Sequence, residues 1–242
     1  MESGIGPRRD AIESRTVSDA APPPGSALLG VQDALLLLRS RSLQLGLLRR
    51  IAATPEWVRN DRVRAALVLH PRTPRPIAVG LLPHLRWGDL HRVTTTPGLP
   101  APVVLLAERL LTERLPDLAL GERISLARAA SGAVVVSLRR DPSPLVLRAL
   151  LENPRFRADD ALFVAERAQS PAASLQLLAE CPRWRGRTDL RRAIAAHPSS
   201  PAHVALGLVA AMDGAEIGHL LRTGGVPALV RLAAERRLAG PA

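Results

Sequence analysis

The chain contains no lysine and no tyrosine, one cysteine (Cys181), two asparagines and five aromatic residues in 242 positions. Each scarcity closes a route to function. Without lysine there is no Schiff-base amine, no P-loop lysine and no kinase-type phosphate lysine. Without tyrosine there is no tyrosyl nucleophile. A lone cysteine builds neither an internal disulfide nor a cysteine-rich zinc site. Five aromatic residues are too few for a platform that stacks the bases of a single strand. No uncharged apolar run approaches the ~20 residues that a membrane span requires. The leucine-rich stretch from Ala27 to Leu48 is broken by Asp33, Arg39 and Arg41. Near the start, Arg8, Arg9, Asp10, Glu13 and Arg15 surround no apolar core, so no secretory or twin-arginine leader is read. The expectation is a cytoplasmic protein in a reducing compartment, with no membrane partner, cofactor or metal.

Ala, Arg, Leu, Pro and Gly fill the gap, a usage typical of a GC-rich bacterial genome. All 33 basic residues are arginine and the formal charge is +11. Codon bias accounts for part of that charge, but guanidinium forks still suit carboxylates and phosphates. The charge is unevenly placed. Residues 1–26 hold three Arg against four acids, leaving 30 Arg against 18 acids on residues 27–242. The first segment, with its Pro22-Pro23-Pro24-Gly25 run, has too little apolar surface to offset ordering and reads as a disordered arm.

From residue 27 onward, apolar stretches at helical spacing alternate with proline punctuation. Leu99, Val103, Leu106 and Leu110 are one such stripe. Thr73-Pro74, Ser143-Pro144, Ser170-Pro171 and Ser200-Pro201 read as helix starts, a hydroxyl cap followed by proline at the first helical position. Asp213 with Glu216 reads as a capping box. His70-Pro71, Asn153-Pro154, Cys181-Pro182 and His197-Pro198 read as stops. No stretch sustains strand alternation. The expectation is about a dozen short helices joined by tight turns in a single domain over residues 27–242.

The chain also repeats itself. Residues 57–109 align without a gap on residues 184–236, and 18 of the 53 pairs are identical. Trp57 falls on Trp184, Arg64 on Arg191, His70-Pro71 on His197-Pro198 and Ala107-Glu108-Arg109 on Ala234-Glu235-Arg236. A shorter echo joins the segments ending at Trp57, Phe156 and Trp184, which places a large ring at each joint between units. Self-similarity of this kind marks a stacked repeat. On the serine/threonine-proline starts and the shared pattern from Arg64 to Leu81 and Arg191 to Leu208, the chain resembles the HEAT-like and leucine-rich-repeat-variant superhelical proteins. The resemblance covers residues 43–240 and implies an all-α, short-helix solenoid of the armadillo-like kind. Its members are mostly recognition scaffolds; a minority bind DNA or act as lyases and glycosylases. The motifs specify architecture rather than activity.

The repeat sorts candidate residues. One present in both copies serves the repeat, whereas one present in a single copy is freer to serve function. His70 and His197 therefore read as structural carbonyl caps. His84, Asp89 and His91 lie close in sequence, but their spacing fits no metal-ligand pattern on one helix. Trp87, flanked by Arg86, falls on Gly214 and has two readings: a partner-binding anchor, since Trp and Arg dominate interface hot spots, or a ring that fills a core gap in that copy alone. The densest basic feature is Arg183, Arg185, Arg187, Arg191 and Arg192, opposed locally by Asp189 and placed where Thr188 reads as a helix cap. These seven residues, Arg86 and Trp87 with the five arginines, are the candidate partner-binding set. The expected activity is non-enzymatic binding of another protein through an acidic segment. The alternative is a phosphate-backbone binder of duplex DNA or structured RNA, including a glycosylase-like enzyme built around Trp87 and Asp89.

Overall fold

The computed structural model describes residues 30–240, so the arm read over residues 1–26 lies outside the described residues. Among these there are sixteen α-helices, three 3-10 turns and no strand. The first seven helices are α1 (Val31–Leu38), α2 (Leu45–Ala53), α3 (Pro55–Val58), α4 (Asp61–Leu69), α5 (Arg75–Leu81), α6 (Trp87–Thr95) and α7 (Ala101–Arg114). A central trio follows: α8 (Leu120–Ala129), α9 (Gly132–Leu138) and α10 (Pro144–Glu152). The last six are α11 (Ala158–Glu166), α12 (Ala172–Glu180), α13 (Thr188–Ala196), α14 (Ala202–Ala210), α15 (Gly214–Arg222) and α16 (Ala228–Ala239).

The internal repeat is visible in these boundaries. At the offset of the aligned tryptophans, α4 falls on α13 and α6 on α15, end for end, and the match also carries α1 onto α11 and α2 onto α12. Val63 and Leu67 of α4 are buried, as are their counterparts Leu190 and Ile194 of α13, one turn apart on the inward face. Gly98 and Gly225 correspond as well. Both have positive φ, 84° and 78°, in the turns before Pro100 and Pro227, a conformation that a side chain would strain. The first-turn acids match too: Asp33 accepts the Gly30 N–H at 2.9 Å and Asp160 accepts the Arg157 N–H at 3.0 Å.

Packing is between near neighbours. α1 packs on α4 and α4 on α6, while α5 packs on α7 and α7 on α9. Farther along, α8 packs on α10, α10 on α12, α11 on α13 and α14 on α16. The buried side chains form three groups in chain order. The first joins Ala34, Leu48, Ile51 and Leu67, the central one runs from Ala65 to Ile194, and the last runs from Ala195 to Ala234. The joint rings differ in depth: Phe156 is fully enclosed, Trp184 is 9% exposed and Trp57 is only half-buried.

The hydroxyls before proline do a different job from the one their position suggests. Pro74, Pro171 and Pro201 themselves occupy the cap position, and no serine or threonine caps the helix that follows. Ser143 does precede α10, but its side chain makes no capping bond. Thr73 Oγ1 instead donates back to the Leu67 carbonyl at 2.6 Å, and Ser170 Oγ to the Val164 carbonyl. One residue upstream of the cap, the hydroxyl lies closer to the open carbonyls of the preceding helix than to the new N–H groups. Asp213 behaves as expected, accepting from Glu216 N at 2.8 Å while Glu216 accepts from Asp213 N at 3.1 Å.

Candidate partner-binding site

α12 stops at Cys181 because Pro182 cannot continue it, and the 3-10 turn Pro182–Trp184 drops the indole of Trp184 into the central core. Arg183 on that turn stacks over the Trp184 ring, its guanidinium carbon 4.5 Å from the ring centroid. It also donates to the carbonyls of Asn153 (3.3 Å) and Pro154 (3.5 Å), so it ties two successive proline turns together. The indole Nε1 of Trp184 is enclosed and finds no acceptor among the described residues.

Arg185, Arg187 and Arg191 converge beside Trp184 on a cavity of about 230 Å³. Leu178, Leu190 and Ile194 give it an apolar floor. Arg187, rather than Thr188, is the cap residue of α13, and its side chain does not bond the exposed backbone N–H groups of that helix. It pairs instead with Asp189, at 3.0 and 2.5 Å. This hydrogen bond holds the Asp189 carboxyl below the ordinary carboxylate range, against the opposing effect of partial burial, and raises the Arg187 guanidinium in turn. Arg185 is exposed and its guanidinium has no partner among the described residues.

Arg191 is engaged internally. It reaches Glu216 on α15 at 3.2 Å, the Ala211 carbonyl at 2.9 Å and the Arg185 carbonyl at 3.3 Å. Arg64, its counterpart, makes the corresponding bond to the Val58 carbonyl at 3.1 Å. The shared bond belongs to the repeat, and the reach to Glu216 is particular to the second copy. Arg192 turns to the other side of α13, where Nε lies 3.3 Å from the Thr188 carbonyl.

Arg86 and Trp87 lie apart from this cavity. The Trp87 indole donates to Glu122 Oε1 at 2.7 Å, so its polar edge is spent inside the protein, and its ring is half-buried against the central core. Arg86 is exposed and pairs with Asp61 at 2.7 Å. Asp89 pairs with Arg92 at 3.3 Å. Burial, and then the nearby Arg155 charge, lower the His91 pKa from its ordinary value.

Two larger clefts occupy matching places in the two copies. The first, about 530 Å³, lies among α1, α4 and α6; the second, about 350 Å³, lies among α11, α13 and α15. Leu35, Arg39, Arg62, Ala66 and Arg92 of the first stand where Leu162, Glu166, Asp189, Ala193 and His219 stand in the second. Arg86 lines the first and Arg192 the second. Sequence reasoning missed both clefts, because their walls come from segments some thirty residues apart. The signal available was the change of charge between matched positions.

The fold defines an all-α protein, compatible with a helical repeat. No helix among the described residues is long and apolar enough to cross a membrane. No protein-family model, curated protein or solved structure matches the chain.

Proposed function

We propose that the chain is a non-enzymatic, HEAT-like repeat scaffold that holds an acidic segment of another protein. Packing restricted to near neighbours, together with helix boundaries that repeat along the chain, supports a stacked superhelix as the scaffold. The observation that carries the binding role is the Trp184 cavity: an apolar floor with Arg185 and Arg187 at the rim beside the start of α13. Such a seat suits a carboxylate or carbonyl oxygen next to an apolar side chain, because helix N-termini and arginine forks favour negative charge.

The test is a titration with a short synthetic peptide of alternating glutamate and leucine pairs. Trp184 fluorescence reports binding in a protein carrying Trp57→Phe and Trp87→Phe. Saturable binding that is lost when Arg183, Arg185 and Arg187 together become Ser, with helicity unchanged, supports the reading. Binding that is indifferent to the triple change overturns it. Duplex DNA is the competing ligand. A steep salt dependence that the triple change flattens by about two to three units of slope would move the assignment to phosphate-backbone binding.

A further inference from the structure

The cleft among α1, α4 and α6 has a chemistry of its own. Its floor is Leu35, Ala65 and Ala66, with Leu36 beside them 59% exposed. A second hollow of about 410 Å³ continues it, sharing Leu35, Asp61, Arg62 and Arg86 and adding Arg59. Five arginines thus face the combined groove: Arg39, Arg59, Arg62, Arg86 and Arg92. The acids opposing them are Asp61 and Asp89, both already engaged, Asp61 by Arg64 and Arg86 and Asp89 by Arg92. Arg39, Arg59 and Arg62 are exposed and make no side-chain bond with the described residues.

The matching cleft of the second copy shows that this charge is not a consequence of the repeat. There Arg39 is replaced by Glu166, Arg62 by Asp189 and Arg92 by His219, and only Arg192 brings a guanidinium. One architectural groove is therefore strongly basic in its first occurrence and close to charge-balanced in its second, where Asp189 is moreover paired with Arg187. From its charge and its apolar floor, we infer that the α1–α4–α6 groove is a docking site for an acidic segment of a partner protein that carries leucine-like side chains among its carboxylates. Complementary charge selects such a segment and speeds its encounter, and the floor buries its apolar groups. Nucleic acid fits less well. A phosphate backbone has nothing to place on Leu35, Leu36 and Ala66, and no aromatic ring lines the groove for a base. This site does not rest on the Trp184 cavity.

The two sites are separated by working in the Arg183→Ser, Arg185→Ser, Arg187→Ser background. The probe is a dye-labelled peptide of alternating glutamate and leucine pairs, followed by fluorescence anisotropy at low salt, with its glutamine analogue as control. The expected result is binding of the glutamate peptide alone, weakened on the order of tenfold by Arg39→Ser with Arg62→Ser. Leu36→Ser should weaken it separately. Arg39→Glu with Arg62→Glu, which leaves three arginines against four acids, should reverse that preference and bring in the lysine version of the peptide, a gain that misfolding would not produce. No binding of the glutamate peptide in this background, or equal binding by the Arg39/Arg62 variant, overturns the proposal. So does duplex DNA that displaces the peptide at lower concentration than unlabelled peptide does.

Discussion

His197 and Arg167 are joined by a hydrogen bond between the imidazole Nε2 and the backbone carbonyl, 3.0 Å long, linking the end of α13 to the end of α11. The corresponding bond, also 3.0 Å, joins His70 to Ser40 in the first copy. In both rings Nδ1 accepts a backbone N–H two residues on, from Ser199 at 3.0 Å and from Arg72 at 3.2 Å. Nε2 must then carry the proton, and the neutral ring serves as a two-ended cap. Asn153 performs the same task between α10 and α8, donating to Ala127 O at 2.8 Å and accepting from Arg155 N at 2.9 Å.

The equivalence predicts which substitution is tolerated. His197→Asn should keep most of the stability, because an amide already makes this pair of bonds at Asn153. His197→Leu fills the space but leaves the part-buried Arg167 carbonyl and Ser199 N–H without their protein partner, a loss of up to about 1–3 kcal/mol in all because water reaches part of the site. Urea unfolding midpoints should rank wild type, Asn, Leu in descending order. Equal losses for Asn and Leu would mean that ring shape, not hydrogen bonding, holds the joint.

The joint aromatics should separate by depth. Trp184→Ala should cost about 3–5 kcal/mol, as expected for an enclosed ring, whereas Trp57→Ala should cost clearly less because its ring is half-buried. Thermal melts of the two variants provide the comparison. A larger loss at Trp57 would contradict it.

The copies, the helix-rich fold and the stops at His70, Asn153, Cys181 and His197 were legible because they rest on local signals, proline and apolar spacing. The extension of the repeat back to α1 and α2 was not. Few identities survive there, and the match becomes plain in helix boundaries and in Asp33 and Asp160, each turned back on a preceding N–H. The role of the hydroxyls was misread because sequence alone does not say which of two adjoining helix ends Thr73 or Ser170 will reach. Arg191 looked like one member of a surface cluster. Its engagement with Glu216, on the next helix but one, depends on how α13 and α15 pack. The α1–α4–α6 groove was missed for the same reason: Arg39, Arg62 and Arg86 are scattered in sequence and gathered only by packing.

His91 predicts a pH effect. Its folded-state pKa is lowered, by burial first and by the Arg155 charge second, so the unfolded chain binds the proton more readily. Stability attributable to this group is complete above the ordinary histidine value of 6.5 and falls as the pH drops from there toward the lowered value. His91→Gln should remove that part of the acid sensitivity. Melting temperatures of the two proteins should converge or cross between neutral and mildly acidic pH. Parallel curves would exclude His91 as a contributor.

Asp189 tests the Trp184 cavity from the opposite direction to the arginine replacements. Its carboxylate engages Arg187 through both oxygens, which fixes that guanidinium and neutralises much of the positive charge at the start of α13. The Asp189 pKa is depressed, so the pair persists above the ordinary carboxylate range and is lost only as the pH falls through the lowered folded-state value. Both groups lie near solvent, and the effect on stability should be small. The effect on binding should be larger and positive. Asp189→Asn keeps the shape and the Asp189 contact to Leu190 N while releasing Arg187 toward an incoming carboxylate. The glutamate-leucine peptide should therefore bind this variant several-fold more tightly at neutral pH, mainly through faster association, with the gain shrinking as salt is raised. Weaker binding would mean that the Arg187–Asp189 pair itself forms the wall of the seat, and that Arg187 is not a ligand of the acidic segment.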